Sequence, residues 1–521
     1  MTNVSRAAAT LLLLVAATSA SAAPPKLDYF FPAGAQRGIT VEVTASGTFE
    51  RWPVKVHVEG TGVEVTPSKA SGKLMVAIAK DAPPGVTWIR LHDADGASIA
   101  RPFFVGLLPE VMEQEPNDDP KKAHVLADSN LTINGRLDKP GDVDTFAVKL
   151  AKGQTLVASL EAYRTLRSPM DGVLQIVSAD GFVLEQNDDY HDRDPQIAFL
   201  APKEGTYLVR LFAFPSVPDA TIRFAGKDSF VYRLTLTTGP FVEYTFPLAV
   251  SAPGEVELVG WNIPDDLRRR RIAPQKGEGL QWLFDTRIAN PFHVRVQSRA
   301  CLVKDRKNPQ KITLPATITG KLEQPGDRDV YEMRPTKGQK LSFRVASRTL
   351  GFPLDPVLRL SDAANKTLLQ TKAAKIGDDA TLDYMAPLEG VYRLEVGDLH
   401  QDGGFRHVYL LEAGPPFPNF ELKVATDRFR LTADKPLEIP VTITRIGGFK
   451  AEIALSLEGA PQEIAVTATP KGLTLRAQPA AAFSVPVHIV GTTPEGIRRE
   501  AVVVVPELSR TTSSLWLSAA R

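Results

Sequence analysis

The segment GRLDKPGDVDTFAVKLAKGQ, Gly135–Gln154, returns as GKLEQPGDRDVYEMRPTKGQ at Gly320–Gln339. Gly135, Leu137, Pro140, Gly141, Asp142, Asp144, Lys152, Gly153 and Gln154 are kept as Gly320, Leu322, Pro325, Gly326, Asp327, Asp329, Lys337, Gly338 and Gln339, and Phe146 is answered by Tyr331. Nine identities in twenty positions at one fixed offset mark an internal duplication. The likeness continues downstream. Asp171, Leu174 and Ile176 find Asp355, Leu358 and Leu360 one residue out of step, and Ala201, Pro202, Gly205 and Tyr207 return to step as Ala386, Pro387, Gly390 and Tyr392. A loop gap of one residue between stretches of kept alternation predicts the same strand order and the same buried face in both copies. Tyr207 and Tyr392 are expected in the core with their hydroxyls at its rim.

The rest of the chain also reads as β. Alternating apolar residues mark strands at Thr40–Thr44, Val54–Val58, Leu74–Ile78, Leu156–Leu160, Thr206–Phe212 and Val391–Val396, and again at Leu437–Ile443, Ala451–Leu457 and Phe483–Val490. Forty-one prolines leave little room for long helices. The fold class predicted is all-β, a tandem array of β-sandwich or jelly-roll modules with Ig-like flanking domains. Turn and proline clusters divide it into an Ig-like sandwich at 27–108, the first repeat at 109–240, a small β module at 241–303, the second repeat at 309–416 and a C-terminal Ig-like sandwich at 418–521. Phe246-Pro247 ahead of Gly254 and Val256 echoes Phe31-Pro32 ahead of Gly38 and Val41.

Residues 1–22 carry the features of an export signal: Arg6, an apolar run from Ala7 to Ala17, then small residues before a cleavage point expected after Ala22. That run is about half the length needed to span a bilayer, so a secreted, periplasmic or cell-surface protein is expected, with no membrane insertion once the signal is removed. Lys and Arg number 61 against 60 Asp and Glu, a net charge of +1 that provides no general attraction to nucleic acid. Cys301 is the single cysteine, so no internal disulfide braces the chain, and its expected role is a small buried apolar side chain.

The sharpest chemical signal precedes the first repeat. Glu113, Glu115, Asn117 and Asp118 lead into Asp142 and Asp144. In an extended segment 113, 115 and 117 share a face, and carboxylate and amide oxygens in such number suit Ca²⁺, whereas the lack of His and Cys argues against zinc or copper. A solvated acidic linker is the alternative from the residues alone. The second copy keeps Asp327 and Asp329 but is preceded by Lys304, Asp305, Arg306 and Lys307, so the shared aspartates are expected to order the turn, and calcium to belong to the first copy. A second acidic run, Asn187, Asp188, Asp189, Asp192 and Asp194, reads as a solvated loop, as does the basic Arg268–Arg271 behind Asp265 and Asp266.

The run Glu113-Gln-Glu-Pro-Asn-Asp118, with Gly141-Asp-Val-Asp-Thr-Phe146, Gly153, Gln154, Asp171, Gly205 and Tyr207, resembles the bacterial pre-peptidase C-terminal domain. The resemblance covers Glu113 to Thr238, with Lys311 to Glu412 as a degenerate copy. It implies an eight- to nine-stranded jelly roll of a kind found beside secreted peptidases and in surface proteins. It also implies calcium ligands at Glu113, Glu115, Asn117, Asp118, Asp142 and Asp144. The order of modules resembles multidomain exported proteins of planctomycete-type bacteria.

The sequence carries no zinc-protease histidine array, no Gly-x-Ser-x-Gly elbow and no phosphate-binding glycine loop. The function expected is therefore non-catalytic binding or scaffolding of an extracellular protein or polysaccharide. The alternatives are an accessory or targeting protein for a separately encoded secreted peptidase or hydrolase, and a hydrolase whose catalytic groups meet only in three dimensions.

Overall fold

The computed structural model describes residues 23–217, 223–274, 277–305, 307–375, 377–432, 435–478 and 482–519. The expected signal segment lies outside them. The described chain is all-β, with sheets stacked in pairs around successive cores. Alternation builds them, as in Lys340–Ala346, where Leu341, Phe343 and Val345 point inward and their neighbours outward.

The first sandwich pairs the sheet Lys26–Phe31, Thr40–Thr48, Lys73–Ile78, Val63–Pro67 with the sheet Gly34–Gln36, Arg101–Gly106, Gly85–His92, Lys55–Glu59. This is the strand order of an immunoglobulin-type sandwich. Its opening segment changes sheets at Pro32, which has no N–H to continue the ladder, and Gly34–Gln36 then runs parallel to Arg101–Gly106. The third module makes the same crossing at Pro247. Phe241–Phe246 lies in one sheet, and Ala249–Ser251 runs parallel to Phe292–Gln297 in the other.

The two repeats share one topology. In the first, His124–Val125, Asp144–Leu150, Gly205–Pro215, Met170–Ser178, Val183–Asn187 face Gln196–Leu200, Thr155–Glu161, Val231–Thr237, Leu131–Arg136, Glu110–Met112. In the second, Gln310–Lys311, Arg328–Met333, Tyr392–Asp398, Pro356–Asp362, Thr367–Lys372 face Ala380–Met385, Lys340–Ala346, Val408–Gly414, Ala316–Lys321, Cys301–Val303. The ten strands exceed the eight or nine implied by the resemblance because the segment entering each copy adds two short edge strands.

Two segments depart from the sequence reading. Cys301–Val303, assigned there to the small third module, runs parallel to Ala316–Lys321 in the second repeat. Leu437–Ile443 is not one strand. The chain switches sheets near Pro440, with Leu437–Pro440 pairing to Gly472–Ala477 and Thr442–Ile446 to Asn419–Lys423.

The first and last modules meet. Arg90, almost wholly buried, donates to the Ser98 carbonyl at 2.8 Å and to Asp427 at 3.0 Å. Trp516 packs against His57 and His92, with ring centroids 5.4 and 4.7 Å away. Burial lowers the His92 pKa to about 4, with nearby Lys55 adding to the effect. Elsewhere Arg406 joins three modules, donating to the Tyr190 carbonyl at 2.6 Å and pairing with Glu243 at 2.8 Å.

Removing one partner of a buried ion pair strands the other charge, so Asp427→Ala should destabilise the contact between the first and last modules by about 3–5 kcal/mol. Urea unfolding followed through tryptophan fluorescence checks this. His92 is held neutral by the fold, so its contribution is present above its ordinary value of about 6.5 and is lost as pH falls toward about 4. Thermal melting across that window should show a fall in stability that His92→Gln reduces.

Candidate functional site

Glu115, Asp142 and Asp144 converge at the head of the first repeat, each offering a carboxylate oxygen within 4.8 Å of the others. Asp142 and Asp144 are fully buried, and one oxygen of each has no hydrogen-bond partner. Asn117 is equally buried, with both polar atoms of its amide unpartnered. Its backbone N–H donates to Glu115 at 3.0 Å. Burial raises the Asp142 pKa to about 6, with hydrogen bonding to Asp118 adding to it. Burial, then the charge of Glu113, raises Asp144 well above the carboxylate range. Asp142 Oδ1 has a cation beside it, the Lys139 ammonium at 3.3 Å. Asp144 Oδ1 and the Asn117 amide are buried with no partner, and such a buried carboxylate oxygen is a group that lacks a cation. The fit to a hard divalent ion is good in donor type, since every donor is oxygen.

The geometry departs from the extended linker of the sequence reading. Regular pairing stops at Met112, and the chain bends at Glu115-Pro116, whose peptide is cis. Glu113 accepts from the Arg136 N–H at 2.9 Å and from the Tyr232 hydroxyl at 2.8 Å. Asp118 accepts from the Val143 N–H at 3.1 Å, bracing the turn between the two repeat aspartates. Lys139 lies 3.3 Å from Asp142 and 3.6 Å from Asp118 at the outer rim. These donors engage Glu113, Asp118 and Asp142, while Glu115, Asp142 and Asp144 form the carboxylate cluster, which Glu113 meets at Asp144.

Tyr232, which the sequence reading did not single out, lies at the centre. Its hydroxyl is 2.6 Å from Asp144, and its ring covers Gly135, directly opposite it in the sheet. A Cβ at Gly135 would collide with that hydroxyl, which explains the glycine of the phrase. The second copy matches. Tyr409 covers Gly320 and bonds Asp329 at 2.6 Å. The signal was present in the sequence as Val231-Tyr232 and Val408-Tyr409 near the end of each copy. Other phrase residues have matching parts. Gly141 and Gly326 adopt φ of 91° and 83°, and the side chains of Gln154 and Gln339 accept from Ala151 and Thr336 at 3.0 and 2.9 Å. The Tyr207 and Tyr392 hydroxyls bond the carbonyls of Lys203 and Leu388 at 2.8 and 3.0 Å.

What differs is the cation. The Lys304 N–H donates to the Thr319 carbonyl as the Glu113 N–H donates to that of Asn134, so Lys304 stands in the place of Glu113. Its ammonium lies 3.8 Å from Asp329 and donates to the carbonyls of Asp305 and Lys307 at 2.6 and 2.8 Å. A side-chain cation thus faces the second aspartate, and Asp327 remains exposed.

In the acidic run Asp188, Asp189 and Asp192 are exposed, as a solvated loop requires, and only Asp194 departs from that reading. Asp194 is buried and accepts from the N–H groups of Ala162, Tyr163 and Arg164 at 3.2, 2.7 and 2.8 Å. Asp379 accepts from the Ser347 N–H at 2.9 Å in the second copy. Arg268–Arg271 is not a loop, because Arg268 ends a short helix and Arg269–Ile272 is a strand. Glu257, Glu255 and Asp285 pair with Arg268, Arg269 and Arg270. Cys301 is half-buried rather than buried, and burial pushes its thiol up to about 11.

Residues 142–213 match the family described as the bacterial pre-peptidase C-terminal domain. A probable subtilase-type serine protease of Deinococcus radiodurans is 31% identical over 98 residues, 19% of this chain. The chain spans 14% of that relative's length. The pre-peptidase C-terminal domain of a Bacillus anthracis collagenase is 19% identical, covering 21% of this chain and 98% of its own with a TM-score of 0.18. A mixed-linkage glucan utilisation protein of Bacteroides ovatus, solved with a heptasaccharide, is 10% identical, covering 73% of this chain and 72% of its own with a TM-score of 0.14.

Tyr232→Phe removes the hydroxyl from two buried carboxylates and should cost about 1–3 kcal/mol. Denaturant unfolding of the intact variant measures the loss.

Proposed function

We propose that the chain is an exported, non-catalytic binding and scaffolding protein in which calcium stabilises the first repeat. The meeting of Glu115, Asp142 and Asp144 carboxylates, with buried oxygens of Asp144 and Asn117 left unpartnered, carries the calcium reading. Those four residues would hold the ion, with Glu113 and Asp118 bracing the segment that bears them. The ion would supply positive charge to carboxylates buried without enough donors. Lys304 supplies that charge in the second copy, which we read as a degenerate copy of the same domain. The binding role is supported by the match of 142–213 to a domain of the pre-peptidase C-terminal kind and by modules packed through buried contacts. Export rests on the features of residues 1–22. No helix among the described residues is long and apolar enough to cross a membrane.

The relative from Deinococcus favours a second reading, an accessory to a separately encoded peptidase, because the shared segment lies in a protein described as a protease. Co-purification with a peptidase activity would support it. Saturable adsorption of the pure protein to envelope or matrix polysaccharide, without hydrolysis, would support the first reading.

A ligand bound only by the folded state stabilises it by mass action. Chelation should therefore lower the melting temperature of the intact protein, and added calcium should restore it. The double substitution Glu115→Ala and Asp144→Ala should remove the response. Identical melting curves with and without chelator would exclude the site.

A further inference from the structure

The first four modules lie around a cavity of about 790 Å³. That volume is within the roughly 300–1,000 Å³ of small-ligand sites. One wall is a sheet face of the third module, where Gly279–Leu283 pairs with Phe292–Gln297 and sets Leu280 opposite Arg295 and Trp282 opposite His293. Side chains directly opposite each other in an antiparallel ladder share a face. All four line the cavity, while Phe292, Val294 and Val296 turn to the module's own core. We infer that this face binds a carboxylate carried on a ring, the chemistry of a hexuronate sugar or an aromatic acid. The assignment rests on the binding role proposed above and names its site and ligand class.

Charge singles out Arg295. Each carboxylate that lines the cavity is met by an arginine: Glu59 by Arg510 at 3.6 Å, Glu161 by Arg164 at 3.0 Å and Glu243 by Arg406 at 2.8 Å. Arg164 is thereby engaged, and Arg233 holds Glu110 at 2.7 Å. Arg295 is half-buried, and among the described residues its guanidinium has neither an ion pair nor a hydrogen bond. The walls therefore carry a positive charge that no group of the protein answers. A guanidinium presents a planar fork of N–H donors, which a carboxylate meets with both oxygens.

The same face supplies an apolar platform. Trp282 and Leu280 are 60 and 48% exposed and lie two residues apart on one side of their strand, so they form a continuous strip. His293 packs on the indole with ring centroids 4.8 Å apart, holding part of it and leaving the rest open. Trp282 and Arg295 are diagonal neighbours in the ladder, a separation of about 7–8 Å that long side chains span. A ring lying on the indole brings a carboxylate at its edge to the guanidinium. A neutral ring would leave Arg295 without a counter-charge, and a bare inorganic anion would leave the apolar strip uncovered.

Calorimetric titration of the full-length protein with digalacturonate, trigalacturonate, phenylacetate and neutral cellotriose tests the assignment. Saturable binding of a galacturonate or of phenylacetate, weakened about tenfold or more in Arg295→Gln and in Trp282→Ala, supports it and shows which source of ring carboxylate the site takes. The Arg295 guanidinium has no partner to lose and Trp282 is exposed, so both variants should keep the melting curve of the parent protein. Acid binding that is unaltered in either variant, or cellotriose binding as tight as that of the acids, overturns it. Failure of every probe to bind also overturns it. Saturable adsorption to insoluble polysaccharide that is unchanged in Arg295→Gln then leaves the scaffolding role standing, whereas the absence of adsorption as well overturns both.

Discussion

A carboxylate inside a β-sandwich must find donors or a counter-charge, because desolvation disfavours its ionised form. Asp144 and Asp329 sit in that position in the two repeats, and each is met by a tyrosine hydroxyl that lies across a glycine of the opposing sheet. The glycine, tyrosine and aspartate are interdependent. A side chain at Gly135 would displace Tyr232, and loss of Tyr232 would leave Asp144 and Glu113 short of a donor. The entering linker reaches the same contact through Glu113, which accepts from the Tyr232 hydroxyl.

One hydroxyl does not neutralise a buried carboxylate, and the copies diverge in how the remaining charge is met. In the second repeat the entering strand delivers Lys304 to Asp329 and seats its ammonium on two backbone carbonyls. In the first, the same backbone position holds Glu113, the chain after it adds Glu115, and the nearest ammonium, that of Lys139, lies 3.3 Å from Asp142. The duplicated fold therefore places an internal ammonium beside Asp329 in one copy and a further carboxylate, Glu115, beside Asp144 in the other.

The modules are also more than beads on a string. Arg90 with Asp427, Trp516 with His57 and His92, and Arg406 with Glu243 close the first module onto the last and the repeats onto the third module. Such contacts between β-modules create space as well as stability. The central cavity is lined by the Gln196 edge of the first repeat and by the Trp282 strand of the third module.

The sequence by itself determined the β class, the duplication, the shared strand order of the copies and the acidic residues around Asp142 and Asp144, because these depend on local alternation, turn chemistry and fixed spacing. It marked Tyr207 and Tyr392 as core residues for the same reason. Tertiary structure decided which acidic residues meet. Glu113 meets Tyr232 and Glu115 meets Asp142 and Asp144, pairings that strand periodicity does not contain. It also decided the partners of Tyr232, the place of Lys304, the strand at Arg269–Ile272 and the cavity. Each of these pairs residues far apart in the chain, through sheet register and module packing, and no local pattern encodes such a meeting.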